Sequence, residues 1–449
     1  MKIKKIEKTH IIVFLIIVSF TLKIINNLNY GYWYDELLSF YIADPSISFN
    51  ELSERSKKYD DNLELYFWIL RFFFQIFGYA PENGRYLSVF LSTVSVFVVY
   101  KIFFKFYSNK YFFLYIFLFS INIFIIWQAK ETRVASLVLL IFLINLFNFK
   151  NYLYNKNYTN LFLLFFTNQI LIQLHPFLIL ILLSQIIFFL FNKFDKKIII
   201  LISINLLLFI FLNYDYINFK LETKSIHYGG DLNYKFFINY FFRTFFGSIW
   251  FGAINLIIFA ISIIIYVNEL IKFQNTQNLK FYLFLNIIFT YGFIVLFSLI
   301  FFGINIPRYF IYLIPIIIFF QVDLFKRLNI KNSIIFLFIT LNLINLIIKF
   351  DDFKIRKFNI QDLKKNIEKV NIRRIYIGND LLFNNYFNHL KFIKKDFHII
   401  DDLNSNNFYP LLKICINNKN LPGPVICQNT QSSFVIKKIT KKTNYKLKF

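Results

Sequence analysis

Apolar runs close to bilayer length recur from the N-terminus of this chain to about residue 349. A hydrocarbon core about 30 Å thick takes roughly 20 consecutive apolar residues to cross as a helix. Lipid offers the backbone no hydrogen-bond partners, so only helices and closed barrels span it. A barrel would read as alternating segments of about 10 residues. The long Ile, Leu and Phe runs do not alternate, so the expected fold class is an α-helical polytopic membrane protein. Composition agrees: 57% of the 449 residues are hydrophobic and 17% are charged, against about a quarter charged in soluble domains.

Hydropathy at bilayer length places eleven spans, at about 9–26, 85–105, 111–127, 132–149, 158–173, 175–191, 197–213, 250–271, 281–302, 306–322 and 333–349. A further apolar segment, about 63–78, lies inside a loop and reads as re-entrant or interfacial. The basic start from Met1 to Lys8 followed by an apolar run resembles a signal peptide without a small-residue cleavage site. It is read as an uncleaved first span with a cytoplasmic N-terminus. The connections then alternate. One set carries Lys or Arg throughout: the N-terminal cluster, 105–110, 150–156, 192–197, 272–280 and 326–331. The positive-inside rule makes this set cytoplasmic. The outer set is 27–84, 128–133, 173–176, 214–249, 303–308 and the tail after Phe350.

The formal net charge is +25. In a soluble protein that would suggest nucleic acid, but here the cations flank spans, where they orient the chain and meet anionic lipid head groups. No nucleic-acid partner is expected. The tail is Lys-rich, with a helix-like piece at 361–370 and short β-like runs such as 374–378. It reads as a small C-terminal α/β domain, 351–449, on the outer face, beside a membrane domain over 1–350. Cys415 and Cys427 match no metal motif; a disulfide and two free thiols both remain open.

Acid is scarce, 25 Asp and Glu against 50 Lys and Arg, yet Asp35 and Glu36 stand side by side just after the first span. On the same outer side the topology also places Asp60, Asp61, Glu64, Lys130, Glu131, Arg133, His175 and Arg308. Ionisable groups gathered at one level of a helical bundle point to a polar cavity there.

The ordered motifs are Asp35-Glu36, then Asp61-Asn62-Leu63-Glu64-Leu65-Tyr66-Phe67, then Gly78 to Ser88, then Gln128-Ala129-Lys130-Glu131-Thr132-Arg133, His175-Pro176-Phe177 and Pro307-Arg308-Tyr309-Phe310. Over about residues 10–320 this resembles the GT-C glycosyltransferases of the protein O-mannosyltransferase and lipid A aminoarabinose transferase type. The resemblance implies a GT-C-like membrane fold, and transfer of a sugar from a polyprenyl-phosphate donor to an envelope glycan, lipid or protein. It also implies a bacterial inner membrane with the active site facing the periplasm. The chain departs from the family pattern where Leu63-Glu64 replaces a Pro-Pro pair.

The resemblance makes Asp35 the catalytic base, a role helped by a carboxylate pKa raised through partial burial. Glu36 is the second catalytic candidate, orienting Asp35 or pairing with a cation. Arg133 and Arg308, with Lys130 in reserve, are candidates for the leaving phosphate, because guanidinium suits phosphate by paired hydrogen bonds. The bland alternatives are an interfacial anchor for Arg308 and an ion pair with a loop acid for Arg133. Asp61, Glu64, His175 and Tyr309 complete the substrate-binding candidates. Asp60 and Asp61 could instead cap the following helix, and His175 could be a polar cap. Arg85 reads as structural. Asp35, Asp61 and Glu64 could hold a hard cation, but nothing in their spacing demands one, so a divalent metal is possible and not predicted. Trp33 could stack on a sugar or sit in an interfacial belt. A transporter or flippase for lipid-linked saccharides is the alternative; it should show repeat symmetry, broken Gly/Pro-containing helices and ionisable groups near midspan, whereas these spans are nearly free of charge and carry it at their ends. A scaffold displaying the tail is a third reading.

Overall fold

The computed structural model describes residues 2–27, 31–104, 109–192, 195–223, 236, 243–273, 278–300, 306–352, 374–376, 398–399, 411–416 and 434–439. The membrane part is helical. In chain order the helices are α1 (Lys2–Ile24), α2 (Tyr34–Ile42), α3 (Phe49–Tyr59), α4 (Glu64–Phe77), α5 (Pro81–Phe103), α6 (Asn109–Ser120), α7 (Ile123–Ala129), α8 (Ala135–Tyr154), α9 (Tyr158–Leu174), α10 (Ile179–Phe191), α11 (Lys196–Leu212) and α12 (Tyr214–Thr223). After them come α13 (Ile249–Phe273), α14 (Leu279–Ile300), α15 (Leu313–Arg327) and α16 (Asn332–Lys349). Short 3-10 turns, Pro176–Leu178 and Pro307–Phe310, precede α10 and α15. Each of the eleven apolar runs in the sequence carries helix. Among the described residues, five helices are long and apolar enough to cross a membrane. The number rises to seven if the α6/α7 pair, bent by 45°, and the α11/α12 pair, bent by 65°, each count as one span. These helices make the chain an integral membrane protein.

Proline and capping residues explain several boundaries. Pro81 sits in the first turn of α5 and Pro176 opens a 3-10 turn, positions where the missing N–H costs nothing. Ser48, Asn122 and Asn157 accept backbone N–H bonds at the starts of α3, α7 and α9. Gly78, with φ of 96°, ends α4 in a conformation that side chains avoid. The expected loop segment at 63–78 forms α4. One face of α4 buries Tyr66, Phe67, Leu70, Arg71 and Phe74, and the other leaves Trp68, Phe72, Ile76 and Phe77 exposed.

Buried amides lock the bundle. Asn145 of α8 donates to Asn168 of α9 at 2.6 Å, Asn168 donates to Gln185 of α10 at 2.9 Å, and Gln185 returns to Asn145 at 3.1 Å. Each carboxamide thereby finds donors and acceptors where lipid offers none.

Polar contacts between connections fall into two groups. Lys156 meets Asp195 at 3.0 Å, Lys110 donates to the Ile330 carbonyl at 3.2 Å, and Lys280 pairs with Asp323. These join the connections assigned by lysine content to one side. At the other end Arg308 meets Asp35, Arg133 meets Asp60 and Lys220 meets Asp61. Segments up to 273 residues apart in sequence thus build one polar end of the bundle.

In the tail, β1 (Arg374–Tyr376), β2 (His398–Ile399), β3 (Leu411–Ile416) and β4 (Phe434–Ile439) form one sheet in the order β2-β1-β3-β4. The β1 pairings are parallel and β3/β4 is antiparallel. The helix expected at 361–370 lies outside the described residues, as does Cys427; Cys415 is in β3.

Candidate active site

Asp35 and Glu36 open α2, and because successive helical residues point about 100° apart, the two carboxylates face different partners. Glu36 is buried. Its Oε1 accepts from Arg85 Nε at 2.8 Å and from the Thr132 N–H at 3.1 Å. Its Oε2 accepts from Arg85 Nη2 at 3.0 Å and from the Trp33 N–H at 3.0 Å, the last closing the N-terminus of α2. Arg85, fully buried on α5, also donates to the carbonyls of Asn27 and Gly31, each at 2.6 Å. Its guanidinium lies 4.1 Å from the Tyr32 ring centre. One buried ion pair therefore ties together the end of α1, the start of α2, α5 and the 130–134 turn.

Glycine makes that junction possible. A Cβ on Gly84 would come within 2.4 Å of Thr132 Cγ2. Only the bare backbone of α5 lets Thr132 approach closely enough to present its N–H to Glu36.

Asp35 points the other way. Its Oδ2 meets Arg308 Nη1 at 2.7 Å, and its side chain keeps 25% exposure. Pro307 starts the 3-10 turn that carries Arg308, and the guanidinium lies 5.4 Å from the Trp33 ring and 5.5 Å from the Tyr309 ring. Burial raises the Asp35 carboxyl, but the charges of Arg308 and Arg133 outweigh it and hold the group below the usual carboxylate range. The sequence expectation of a carboxyl raised by partial burial left out this guanidinium partner.

Arg133 lies between Asp35 and Asp60. It meets Asp60 Oδ2 at 2.6 Å, Ser39 Oγ at 3.1 Å and the Asp35 carbonyl at 3.2 Å, all through Nη1. Asp60 Oδ1 also accepts from the Asp61 and Asn62 N–H groups, at 2.7 and 3.0 Å. Asp60 ends α3 and Leu63 occupies the N-cap position of α4 without a side-chain capping bond, so neither Asp60 nor Asp61 caps α4. Asp61 instead receives Lys220 at 2.9 Å, while Tyr216 donates to its carbonyl at 3.0 Å. Thus α12, turned sharply away from α11, docks on the Asp61 corner.

The other candidates are placed as follows. Glu64 lies 4.0 Å from Lys57. Lys130 is buried, donates to the Ile25 carbonyl at 2.9 Å and lies 3.9 Å from the Phe350 ring. His175 is buried and stacks on Tyr309 with ring centres 3.9 Å apart. Its Nδ1 accepts the Phe177 N–H at 3.2 Å, so it does cap the 3-10 turn. Burial, then the positive charges of Arg308 and Arg133, push its pKa down to about 3.

The structure therefore brings Asp35, Arg133, Arg308, His175 and Tyr309 together around Asp60. It sets Glu36 behind them, Asp61 and Glu64 at the flank toward α12 and α3, and Lys130 against the end of α1. Asp35, Asp61 and Glu64 face three different cations, and among the described residues no three His, Cys, Asp or Glu side chains converge as a metal site. These residues do not fit a shared divalent ion. Within this cluster, Arg133 Nε, Arg308 Nε and His175 Nε2 are buried donors with no partner among the described residues. Sequence reading missed the parts of Ser39, Tyr216 and Lys220. Asp60 carried a signal, being one of two adjacent acids on the outer side, whereas Lys220 looked like one more lysine in a basic chain.

No family model matches the chain, and no curated protein matches it in sequence. Among solved structures it is similar to an oligosaccharyltransferase of Archaeoglobus fulgidus, solved in complex with Zn and sulfate, with a TM-score of 0.48 and 10% identity. The match covers 85% of this chain and 61% of the other.

Proposed function

We propose that the protein is a GT-C-type membrane glycosyltransferase that moves a sugar from a polyprenyl-phosphate donor to an envelope glycan, lipid or protein. The site would face the periplasm from a bacterial inner membrane, with the tail 351–449 as a separate domain on that side. The observation that carries the reading is the Asp35–Arg308 pair beside Arg133–Asp60, with both guanidiniums keeping an unused buried Nε. A base beside two arginines with spare donors matches acceptor activation beside a departing phosphate.

In this reaction the acceptor oxygen attacks the anomeric carbon on the face opposite the phosphate. Its proton passes to Asp35, the bond from anomeric carbon to phosphate oxygen breaks, and the phosphate leaves with the electron pair. Configuration inverts. Arg308 and Arg133 stabilise the charge gathering on the phosphate. Unliganded, Arg308 depresses the basicity of Asp35. A bound phosphate takes a share of Arg308, and Asp35 then regains affinity for a proton. Glu36, saturated by four donors, positions α2 and does not move the proton.

The test is transfer of labelled sugar in vesicles enriched in membrane lipid-phosphate sugars. Asp35→Asn is expected to abolish transfer while leaving the protein folded; full activity would remove Asp35 as the base.

A further inference from the structure

The reaction just described leaves His175 without a part, yet its surroundings are specific. Nδ1 accepts the Phe177 N–H at 3.2 Å. A ring nitrogen that accepts a hydrogen bond carries no proton, so in a neutral imidazole the hydrogen sits on Nε2. The ring is neutral, since burial and the two nearby guanidiniums oppose its protonation. Nε2–H is thus a buried donor, and no group among the described residues accepts it. A buried donor left unmatched costs about 1–3 kcal/mol, which suggests a group that arrives from outside.

Its position says which group. His175 stacks on Tyr309, the neighbour of Arg308 in the same 3-10 turn, and both Arg308 and Arg133 act electrostatically on the ring. Those two arginines also hold an unmatched buried Nε each. Three donors without acceptors in one polar cluster call for an anion with several oxygens. Charge narrows the choice. Arg133 is largely neutralised by Asp60 and Arg308 by Asp35, so a third cation would attract inorganic anions in general. A neutral N–H adds a directed bond to a phosphate ester without adding charge.

We propose that His175 is a neutral third donor in the phosphate site, its Nε2–H joining Arg133 and Arg308 in holding the phosphate of the lipid donor. This rests on the transferase reading and assigns His175 the task of orienting the leaving phosphate, with no proton transferred. Tyr309 supports the ring from one face, and the Phe177 N–H fixes the tautomer.

The experiment uses the full chain in nanodiscs with farnesyl phosphate as probe, and inorganic phosphate as a second ligand. Farnesyl phosphate is expected to bind the unaltered protein. His175→Phe, which keeps a stacking ring and loses the donor, is expected to weaken it about tenfold, and His175→Gln, which returns an N–H, to recover most of that loss. A merely structural role predicts no such rescue. Equal farnesyl phosphate affinity in His175→Phe and the unaltered protein overturns the proposal and leaves the transferase reading standing. If inorganic phosphate binds as tightly as the lipid phosphate and both weaken in His175→Phe, the donor role of His175 holds and the lipid-donor reading falls. If neither ligand binds the unaltered protein, both fall. Should His175→Phe not fold, 15N spectra of the unaltered protein decide: the His175 Nε2–H signal shifts on adding farnesyl phosphate, and an unmoved signal overturns the proposal.

Discussion

Replacing Glu36 by Gln separates the two adjacent acids most sharply. The change keeps the shape and removes one charge. Glu36 now accepts four hydrogen bonds, two at each oxygen. A carboxamide has one oxygen, so whichever way it turns, its NH2 faces two donors: Arg85 Nε with the Thr132 N–H, or Arg85 Nη2 with the Trp33 N–H. Arg85, fully buried, also loses its counter-charge. Breaking a buried pair from one side costs about 3–5 kcal/mol, a large share of the roughly 5–15 kcal/mol that holds a typical domain together. Asp35→Asn removes a pair whose carboxylate is 25% exposed, and about 1–2 kcal/mol is the corresponding cost. Thermal unfolding of the purified variants in detergent reads both, alongside transfer in vesicles. Glu36→Gln is expected to melt well below the unaltered protein and to lose transfer only in proportion to lost fold. Asp35→Asn is expected to melt nearly normally and to be inactive. A Glu36→Gln protein that melts normally yet transfers no sugar would refute this reasoning and make Glu36 a catalytic group.

Other expectations test the supporting structure. Gly84→Ala pushes a methyl into Thr132 and should cost about 1–3 kcal/mol; Thr132→Ala in the same chain should return part of it, as a double-mutant melting series would show. Asn168→Leu leaves the amides of Asn145 and Gln185 short of partners and should destabilise by about 1–2 kcal/mol, read as a lower melting temperature with unchanged ligand binding. His175 gives a pH effect of defined sign. Its pKa is about 3 folded against 6.5 as the ordinary value, so below pH 6.5 the unfolded chain binds a proton that the folded one refuses. Its share of stability is complete above pH 6.5 and falls by about 1.4 kcal/mol per pH unit below it. Melting temperatures between pH 7 and 5 should drop less in His175→Gln than in the unaltered protein.

The helical class and the position of every long helix were legible because lipid imposes one requirement, about 20 apolar residues with internal backbone bonds. Sorting connections by lysine content also anticipated which loops meet, as the Arg308–Asp35 and Lys156–Asp195 pairs illustrate. Pairing inside the site was not legible. Asp35 and Glu36 are neighbours in sequence, and only the helical turn decides that one meets Arg308 and the other Arg85. The depressed Asp35 carboxyl follows from a partner 273 residues away, which no local pattern encodes. Asp60, not Glu131, takes Arg133, because α3 ends at that point and fixes the carboxylate by two backbone N–H bonds.

The account rests on Asp35 as the group that takes the acceptor's proton beside an arginine-held phosphate. Its most direct test is sugar transfer by Asp35→Asn, in vesicles, with binding of farnesyl phosphate measured on the same preparation. The account predicts that transfer is lost while the lipid phosphate still binds, more tightly than before, because Arg308 is released from its carboxylate. Transfer at the unaltered rate would contradict it.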